Sequence, residues 1–512
     1  MRFPRRPRRL AALLLTPLLV PPLAGCFASG GGDGGGTADA KDGSRLRVAL
    51  AFPPAENLSP YGADATILSR LGVTEGLTAL DANGAAAPAL AASWRRENDR
   101  TWLFTLREAV FQDGTGVTPA AVAASLAHAA EARPAPAALS GVTLTAEADT
   151  GTGTGAGGAG AVRVTTKAPD PVLPLRLSSP SLAILSPKAY DAKGAADPAG
   201  TATGPFELTG VEGSTGARLD RFDDYWGGRA QASGIDARFI ADGTARANAL
   251  RTGQVDVAEA IPVAQAAGLD ADTRRETATT RTTSLLLNAR SKAFEDASLR
   301  AAARAAVDTS VLAKNVYEGH ADAGTGIYGP AVTWAAGKRT PPAGAARPGK
   351  PAGTSITLAT YDNRPELPEV AQVLKQQLEK AGFTVKLTVG EYSRLESDAL
   401  AGKFDAFVLA RNTLVDTGDP VAVLAGDHTC AGGYNLAQLC DKAVDAAVAG
   451  AERADGTAER QDAVMAAEAA ILRTDTVVPL VHQRVITGVG PRVSGVLLDP
   501  YERVLVGTGT RR

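Results

Sequence analysis

The segment SITLATYDNRPELPEVAQVLKQQLEKAGFTVKLTVGEYSRLESDALAGKFDAFVLAR, residues 355–411, decides the fold class. Its runs SITLATY and FTVKLTV are typical of strands, because they are rich in β-branched residues and the second alternates apolar and polar side chains. The run between them has the helical period and places five apolar residues on one face: Val370, Val373, Leu374, Leu378 and Ala381. The remainder repeats helix and then strand. This order predicts an α/β fold with a largely parallel sheet, in which ligands bind beyond the carboxyl ends of the strands.

The N-terminal half contains further regular elements. The runs RLRVALAF (45–52) and TWLFTL (101–106) predict strands. The run TPAAVAASLAHAAEA (118–132) predicts a helix, with Thr118 as its cap and Pro119 in its first position.

A glycine-rich stretch, residues 150–160, has the G-x-G-x-x-G spacing at Gly155, Gly157 and Gly160. A dinucleotide-binding loop requires a strand before this motif and a helix after it. Strand-like runs lie on both sides here, and the following APDPVLPL (168–175) has too many prolines for a helix. We therefore predict a hairpin tip.

Length and charge limit the possible functions. The 512 residues exceed what one hydrophobic core usually serves, so we expect at least two lobes. The 53 basic and 55 acidic residues give a net charge of −2, and no basic block follows the N-terminus, which argues against nucleic acid as a partner.

The N-terminus has the layout of an export signal. The arginine-rich MRFPRRPRRL precedes the apolar LAALLLTPLLVPPLAG, which proline weakens as a membrane helix. Leu23, Ala24, Gly25 and Cys26 resemble the lipobox of bacterial lipoproteins, which implies a signal peptide over 1–25, lipidation of Cys26 and a flexible tether over 26–44. A chance cysteine after an ordinary signal peptide is the alternative, and the export route stays open between the general and twin-arginine systems.

The cysteines and histidines offer little chemistry. With Cys26 lipidated, Cys430 and Cys440 form an even pair in an oxidising compartment, which predicts a disulfide. His128, His320, His428 and His482 have no ligand-spaced companion, and neither G-x-S-x-G nor H-E-x-x-H occurs. We predict no catalytic residue, no resident metal and no cofactor, while His428 beside Asp427 keeps contact with a chelated metal open.

A longer set of motifs carries a family resemblance. The stretch APALAASWRRENDRTWLFTLREAVFQDGTGVTPAAVAASL (87–126) resembles the extracellular solute-binding proteins of peptide, dipeptide and nickel ABC importers. The runs ATGPFELTG (202–210), IDARFIADGTARANALRTGQVDVA (235–258) and VVPLVHQRVITGV (477–489) follow in the family's order.

The resemblance implies a two-lobed clamshell of the large peptide-binding type with hinge strands. Lobe 1 would comprise 45–284, completed by 488–512, and lobe 2 would comprise 285–487, with crossings in TTSLLLNA (282–289) and VVPLVHQRVI (477–486). The protein would be a monomer at the outer face of the cell membrane that delivers short peptides to ABC permease and ATPase subunits. A nickel chelate or other small solute, a peptide-sensing receptor and a secreted hydrolase are the alternatives.

The resemblance also implies ligand-binding residues. In the dipeptide-binding branch, the residue matching Asp416 receives the ligand's ammonium and the arginine matching Arg364 meets its carboxylate. Tyr434 and Asn435, near the cysteine pair, would line the cleft. A turn-forming role for Asp416 and a solvated Arg364 are the alternatives, and ARNTLVD (410–416) departs from the aromatic-rich run of the branch.

Overall fold

The computed structural model describes residues 44–149, 160–414 and 416–512, with only the backbone of Ser393. These residues belong to one compact unit, Asp42–Arg512. The predicted signal peptide, the lipidated Cys26, the tether and the tip of the glycine-rich hairpin lie outside the described residues.

Strands and helices alternate through most of the described chain. The strands are β1 Leu46–Leu50, β2 Thr78–Leu80, β3 Ala86–Pro88, β4 Ala91–Arg96, β5 Thr101–Leu106, β6 Leu144–Asp149, β7 Ala161–Thr166, β8 Phe206–Glu212, β9 Gly216–Arg221, β10 Gly234–Phe239, β11 Val257–Ala258, β12 Arg274–Leu287, β13 Ala321–Ala323, β14 Ser355–Tyr361, β15 Thr384–Gly390, β16 Ala406–Asn412 and β17 Val477–Val489. The helices are α1 Ala65–Arg70, α2 Pro119–Glu131, α3 Leu173–Arg176, α4 Gly243–Arg251, α5 Val263–Ala266, α6 Ala297–Ala306, α7 Thr309–Val311, α8 Ala335–Lys338, α9 Glu366–Lys380, α10 Tyr392–Leu400, α11 Pro420–His428, α12 Lys442–Arg453 and α13 Thr457–Leu472. Short 3₁₀ turns at Ala137–Leu139, Pro180–Leu182 and Pro187–Ala189, and a π-helical turn at Leu312–Val316, complete the set.

The segment that decides the fold class forms the predicted parallel sheet. β14 lies between β15 and β16 and is parallel to both. In the helix α9, Val370, Leu374 and Leu378 are fully buried, while Val373 and the C-cap residue Ala381 pack at the edge of the same core. The prediction of an α/β unit is confirmed here.

The complete sheet is mixed rather than largely parallel. Its strand order is β15-β14-β16-β12-β17-β11-β1-β10-β9-β8, with β13 added on β17. The long strands β12 and β17 are antiparallel to each other and join the β14–β16 half to the β1–β10 half. Between the pairs Ala278–Arg484 and Thr282–His482, residues 279–281 of β12 leave the ladder.

Three groups of buried apolar residues fill the interior of the described chain. One lies around β12, β14, β16 and the helices that follow them, and a second joins β1 and β8–β10 to Leu505 and Val506 near the C-terminus. The third lies under the antiparallel sheet β4-β5-β7-β6 and α2.

The N-terminal predictions hold with one correction. The Thr118 hydroxyl accepts a hydrogen bond from the Ala121 amide, 3.2 Å, as a helix cap. β6 and β7 pair antiparallel on either side of the glycine-rich stretch, as a hairpin requires. The exclusion of any helix from 168–175 is wrong, because α3 makes one turn there. Pro174 occupies the first turn of α3, where a helix needs no amide donor.

Candidate functional site

A cleft of about 1680 Å³ lies between two walls of distant sequence. Residues of β4 and of the region 135–176 form one wall, and residues 411–460 form the other. Arg96 reaches across from β4 to Asp455, with 2.5 Å between Nη1 and Oδ2. The cleft therefore lies between parts of the chain that are far apart in sequence.

Asp416 lies in the cleft, just after the carboxyl end of β16. It is half-buried, and its carboxylate has no hydrogen bond or ion pair with any residue that the structure describes. Asp419, three residues later, caps α11 and forms an ion pair with Arg460 at 2.6 Å. Asp419 thus has a structural role, whereas the Asp416 carboxylate is available to a ligand.

Arg411 stands beside Asp416 on the same wall. Its Nε and Nη2 donate to the two carboxylate oxygens of Asp427, at 2.9 and 3.3 Å, and its guanidinium carbon lies 4.9 Å from the centre of the Tyr434 ring. Burial raises the pKa of Asp427 to about 6, although Arg411 opposes this shift. Sequence analysis missed Arg411, whose only signal is a charge near the end of the otherwise apolar strand AFVLARN.

Tyr434 and Asn435 lie in the loop that the disulfide closes. Cys430 and Cys440 are bonded, which confirms the predicted pair. Tyr434 lines the cleft, and its hydroxyl meets that of Tyr392. Asn435 is buried, and its amide donates to the carbonyls of Thr429 and Leu439, at 2.9 and 2.6 Å. Asn435 holds the loop in shape, and a ligand contact for it remains a prediction.

Arg364 follows the carboxyl end of β14, as Asp416 follows that of β16. Its guanidinium carbon lies 6.0 Å from the centre of the Phe52 ring, and Phe52, 43% exposed, comes directly after β1. Burial lowers the pKa of Arg364, and the charge of Arg281 lowers it further. The Arg364 guanidinium has no hydrogen bond or ion pair among the described residues, and Arg364 is not one of the residues that line the cleft defined above.

An ion pair lies next to Arg364. Arg281, where β12 leaves its ladder with β17, donates from Nε and Nη2 to Glu502 at 3.2 and 3.1 Å. The Asn412 amide donates to the same carboxylate at 3.2 Å. Burial works to raise the pKa of Glu502, but Arg281 and Arg364 outweigh it and hold the pKa below its ordinary value. Glu502 also has φ of 60°, a conformation that costs energy in a non-glycine residue.

The histidines pack in the interior or form local contacts. His128 stacks on Tyr190, and His320 contacts Glu276. Burial lowers the pKa of His428 and of His482 to about 4, so both are neutral at pH 7. His428 lines a small cavity of about 30 Å³ with Ser284 and Arg411, and its Nδ1 has no hydrogen-bond partner among the described residues. In the described part of the chain, no cluster of three metal-ligating side chains occurs.

The described helices include none whose length and apolar character would let it cross a membrane.

Comparisons with known proteins agree with this architecture. The model of the bacterial extracellular solute-binding proteins, family 5, middle region, matches residues 85–435. The glutathione-binding protein GsiB of Escherichia coli K12 is 26% identical over 468 residues, which cover 86% of this chain and 90% of that protein.

Solved structures share the fold at low identity. NikA from Brucella suis, in complex with Fe(III)-EDTA, has a TM-score of 0.77 and 22% identity, and covers 91% of this chain and 99% of its own. DppA from Helicobacter pylori, in complex with the peptide STSA, has a TM-score of 0.72 and 19% identity, with coverage of 92% and 98%. These are two-lobed binding proteins of one type. By its sequence match and its fold, the chain belongs to the bacterial extracellular solute-binding proteins of family 5.

Proposed function

We propose that the protein captures short peptides between two lobes and delivers them to the permease and ATPase subunits of an ABC importer. The observation that supports this most is the placement of two unpaired charges. The Asp416 carboxylate and the Arg364 guanidinium each follow a parallel strand, β16 and β14, at the edge of the sheet where ligands of such folds bind.

The two charges are complementary to the ends of a peptide. A ligand ammonium on Asp416 would form a charge-assisted bond that contributes about 1.5–3 kcal/mol. The planar guanidinium of Arg364 can hold a carboxylate through two parallel bonds. The relatives support this ligand class, since GsiB is named for glutathione and DppA was solved with a peptide.

Capture would depend on closure of the two proposed lobes, 45–284 with 488–512 and 285–487. A ligand that contacts both lobes stabilises the closed state, and one that contacts a single lobe leaves the equilibrium unchanged. The two crossings are proposed at 282–289 and 477–486, and residues 279–281, where β12 leaves its ladder with β17, come directly before the first of them. The Arg364 guanidinium after β14 lies against the Phe52 ring after β1, so a ligand that touches this pair would contact both proposed lobes.

Location and activity complete the proposal. Cys26 would carry lipid and hold the protein at the outer face of the cell membrane, and residues 26–44 would be the tether. The protein would act as a monomer and catalyse no reaction. Loss of lipid labelling in a Cys26→Ala variant, with release of the protein from cells, would test the anchor.

A metal chelate is the second candidate, because the unpartnered Nδ1 of the buried His428 can coordinate a metal. NikA proteins of the same fold were solved with chelated metals.

Isothermal titration of the full chain with dipeptides, tripeptides and nickel–histidine tests both proposals. We expect micromolar or tighter binding of at least one peptide and none of the chelate. Binding of the chelate alone, lost in His428→Gln, would reverse the order of the two candidates.

A further inference from the structure

The guanidinium of Arg411 has N–H donors in the cleft that bond to none of the residues that the structure describes. An arginine carries five N–H donors, and Asp427 accepts one from Nε and one from Nη2. Nη1 has no hydrogen-bond partner among the residues that the structure describes. The side chain is 33% exposed and lines the cleft. The two N–H groups of Nη1 are thus available to a ligand.

Arg411 is also fixed in orientation. Asp427, with 7% of its side chain exposed, accepts hydrogen bonds along one edge of the guanidinium. The Tyr434 ring packs against the guanidinium. A planar fork held in this way is suited to carboxylate recognition, because little side-chain freedom is lost when the ligand binds.

Opposite charges therefore stand side by side on one wall. Arg411, in β16, and Asp416, in the chain between β16 and α11, are five residues apart and form no ion pair with each other. Burial works to lower the pKa of Arg411, but the carboxylates of Asp427 and Asp416 raise it above the ordinary value. The guanidinium stays charged beside an unpaired carboxylate.

We propose that Arg411 and Asp416 together bind a free α-amino-acid head group, with its ammonium on Asp416 and its carboxylate on Nη1 of Arg411. This inference rests on the proposed function and names its ligand class. An ordinary peptide carries an ammonium beside an amide at its first residue. A peptide whose first residue is linked through its side chain, as in a γ-glutamyl peptide, keeps both charges on one carbon and fits both groups.

Three matched dipeptides test the assignment by titration calorimetry on the full chain. γ-Glu-Ala and α-Glu-Ala are isomers, and Gln-Ala lacks the extra carboxylate. We expect γ-Glu-Ala to bind at least about 10-fold more tightly than either of the others, which corresponds to 1.4 kcal/mol.

In the double variant Arg411→Gln/Asp427→Asn, the ratio of the affinity for γ-Glu-Ala to the affinity for either other dipeptide should fall to about 1. It removes both charges of the buried pair, so that neither is left uncompensated. The control Arg484→Gln/Asp322→Asn neutralises an arginine–aspartate pair that does not line the cleft and whose arginine is as exposed as Arg411, and it should keep the preference. If the first variant does not fold, Arg411→Lys replaces it, because lysine keeps the charge but loses the fork, and it should lower the preference several-fold.

The outcomes separate this inference from the proposed function. Equal binding of the three dipeptides, or a γ-Glu-Ala preference that persists without Arg411, overturns the inference and leaves peptide capture intact. A preference for α-Glu-Ala that disappears with Arg411 also overturns it, because Arg411 would then recognise an acidic side chain. Binding of none of the three, while other peptides bind, overturns the inference alone, and absence of binding by any peptide overturns both.

Discussion

Arg281 and Glu502 form a two-point ion pair between β12 and the C-terminal segment, although 221 residues separate them. Both side chains are 14% exposed. The pair joins the strand at the proposed hinge to the segment that packs with β1, so it is a structural link between the two halves of the sheet.

Loss of one partner of this pair should destabilise the protein. We expect Glu502→Gln to lower the free energy of unfolding by about 3 kcal/mol, because it leaves a buried guanidinium without its counter-charge. Arg96→Gln, which breaks the exposed pair with Asp455, is the matched control and should cost no more than about 1 kcal/mol. Urea denaturation measures the free energy of unfolding of both variants. Equal losses would show that the buried pair contributes no more to stability than the exposed pair.

Asp416 should distinguish free from blocked ligand ammonium groups. We expect Asp416→Ala to weaken binding of free peptides by about 10- to 100-fold, since one charge-assisted bond is lost. N-acetylated peptides should bind the variant and the wild type alike. Equal weakening for both ligands, measured by titration calorimetry, would remove the ammonium-binding role.

Arg364 should distinguish free from amidated carboxyl ends. We expect Arg364→Gln to weaken binding of a free peptide by about 10-fold or more, through loss of the bidentate contact. The C-terminal amide of the same peptide should show little difference between variant and wild type. A variant that binds the free acid as tightly as the wild type does would contradict the assignment.

The disulfide should contribute to stability through its short loop. We expect Cys430→Ser/Cys440→Ser to lower the free energy of unfolding by about 3 kcal/mol on the chain-entropy model. Wild type in reductant should match the double variant in urea denaturation. A loss much below 1 kcal/mol would indicate that the hydrogen bonds of Asn435 hold the loop without the bond.

His482 should make the protein sensitive to acid. Its Nδ1 lies 2.9 Å from the Thr282 hydroxyl and its Nε2 accepts from the Thr325 amide, and burial lowers its pKa to about 4. Because the unfolded chain takes up this proton near pH 6.5, stability should fall as pH drops from 6.5 to 4. His482→Gln should reduce that slope in urea denaturation series, and an unchanged slope would contradict the assignment.

The fold could be predicted from sequence more fully than the site. The periodicity of residues 355–411 and the cap at Thr118 are local signals, and local signals specify helices and strands directly. The mixed order of the sheet depends on β12 and β17, which pair across almost 200 residues that no local pattern connects.

Arg411 and Glu502 illustrate what the sequence could not show. A single arginine near a strand end looks like a solvated charge, and its partner Asp427 lies on the next helix rather than at a recognisable spacing. Glu502 acts on Arg281 only because the C-terminal segment returns to β12. For Asn435, by contrast, the position near the cysteines predicts a place in the lining of the cleft. The structure shows that its side-chain amide already donates to carbonyls within the loop.

The shared core of β1 with Leu505 and Val506 governs the order in which the molecule can mature. During synthesis the first strand emerges more than 450 residues before these partners. The core around β1 is complete only once Leu505 and Val506 are in place. A nascent chain that has not yet reached these two residues therefore lacks part of the interior of its N-terminal portion.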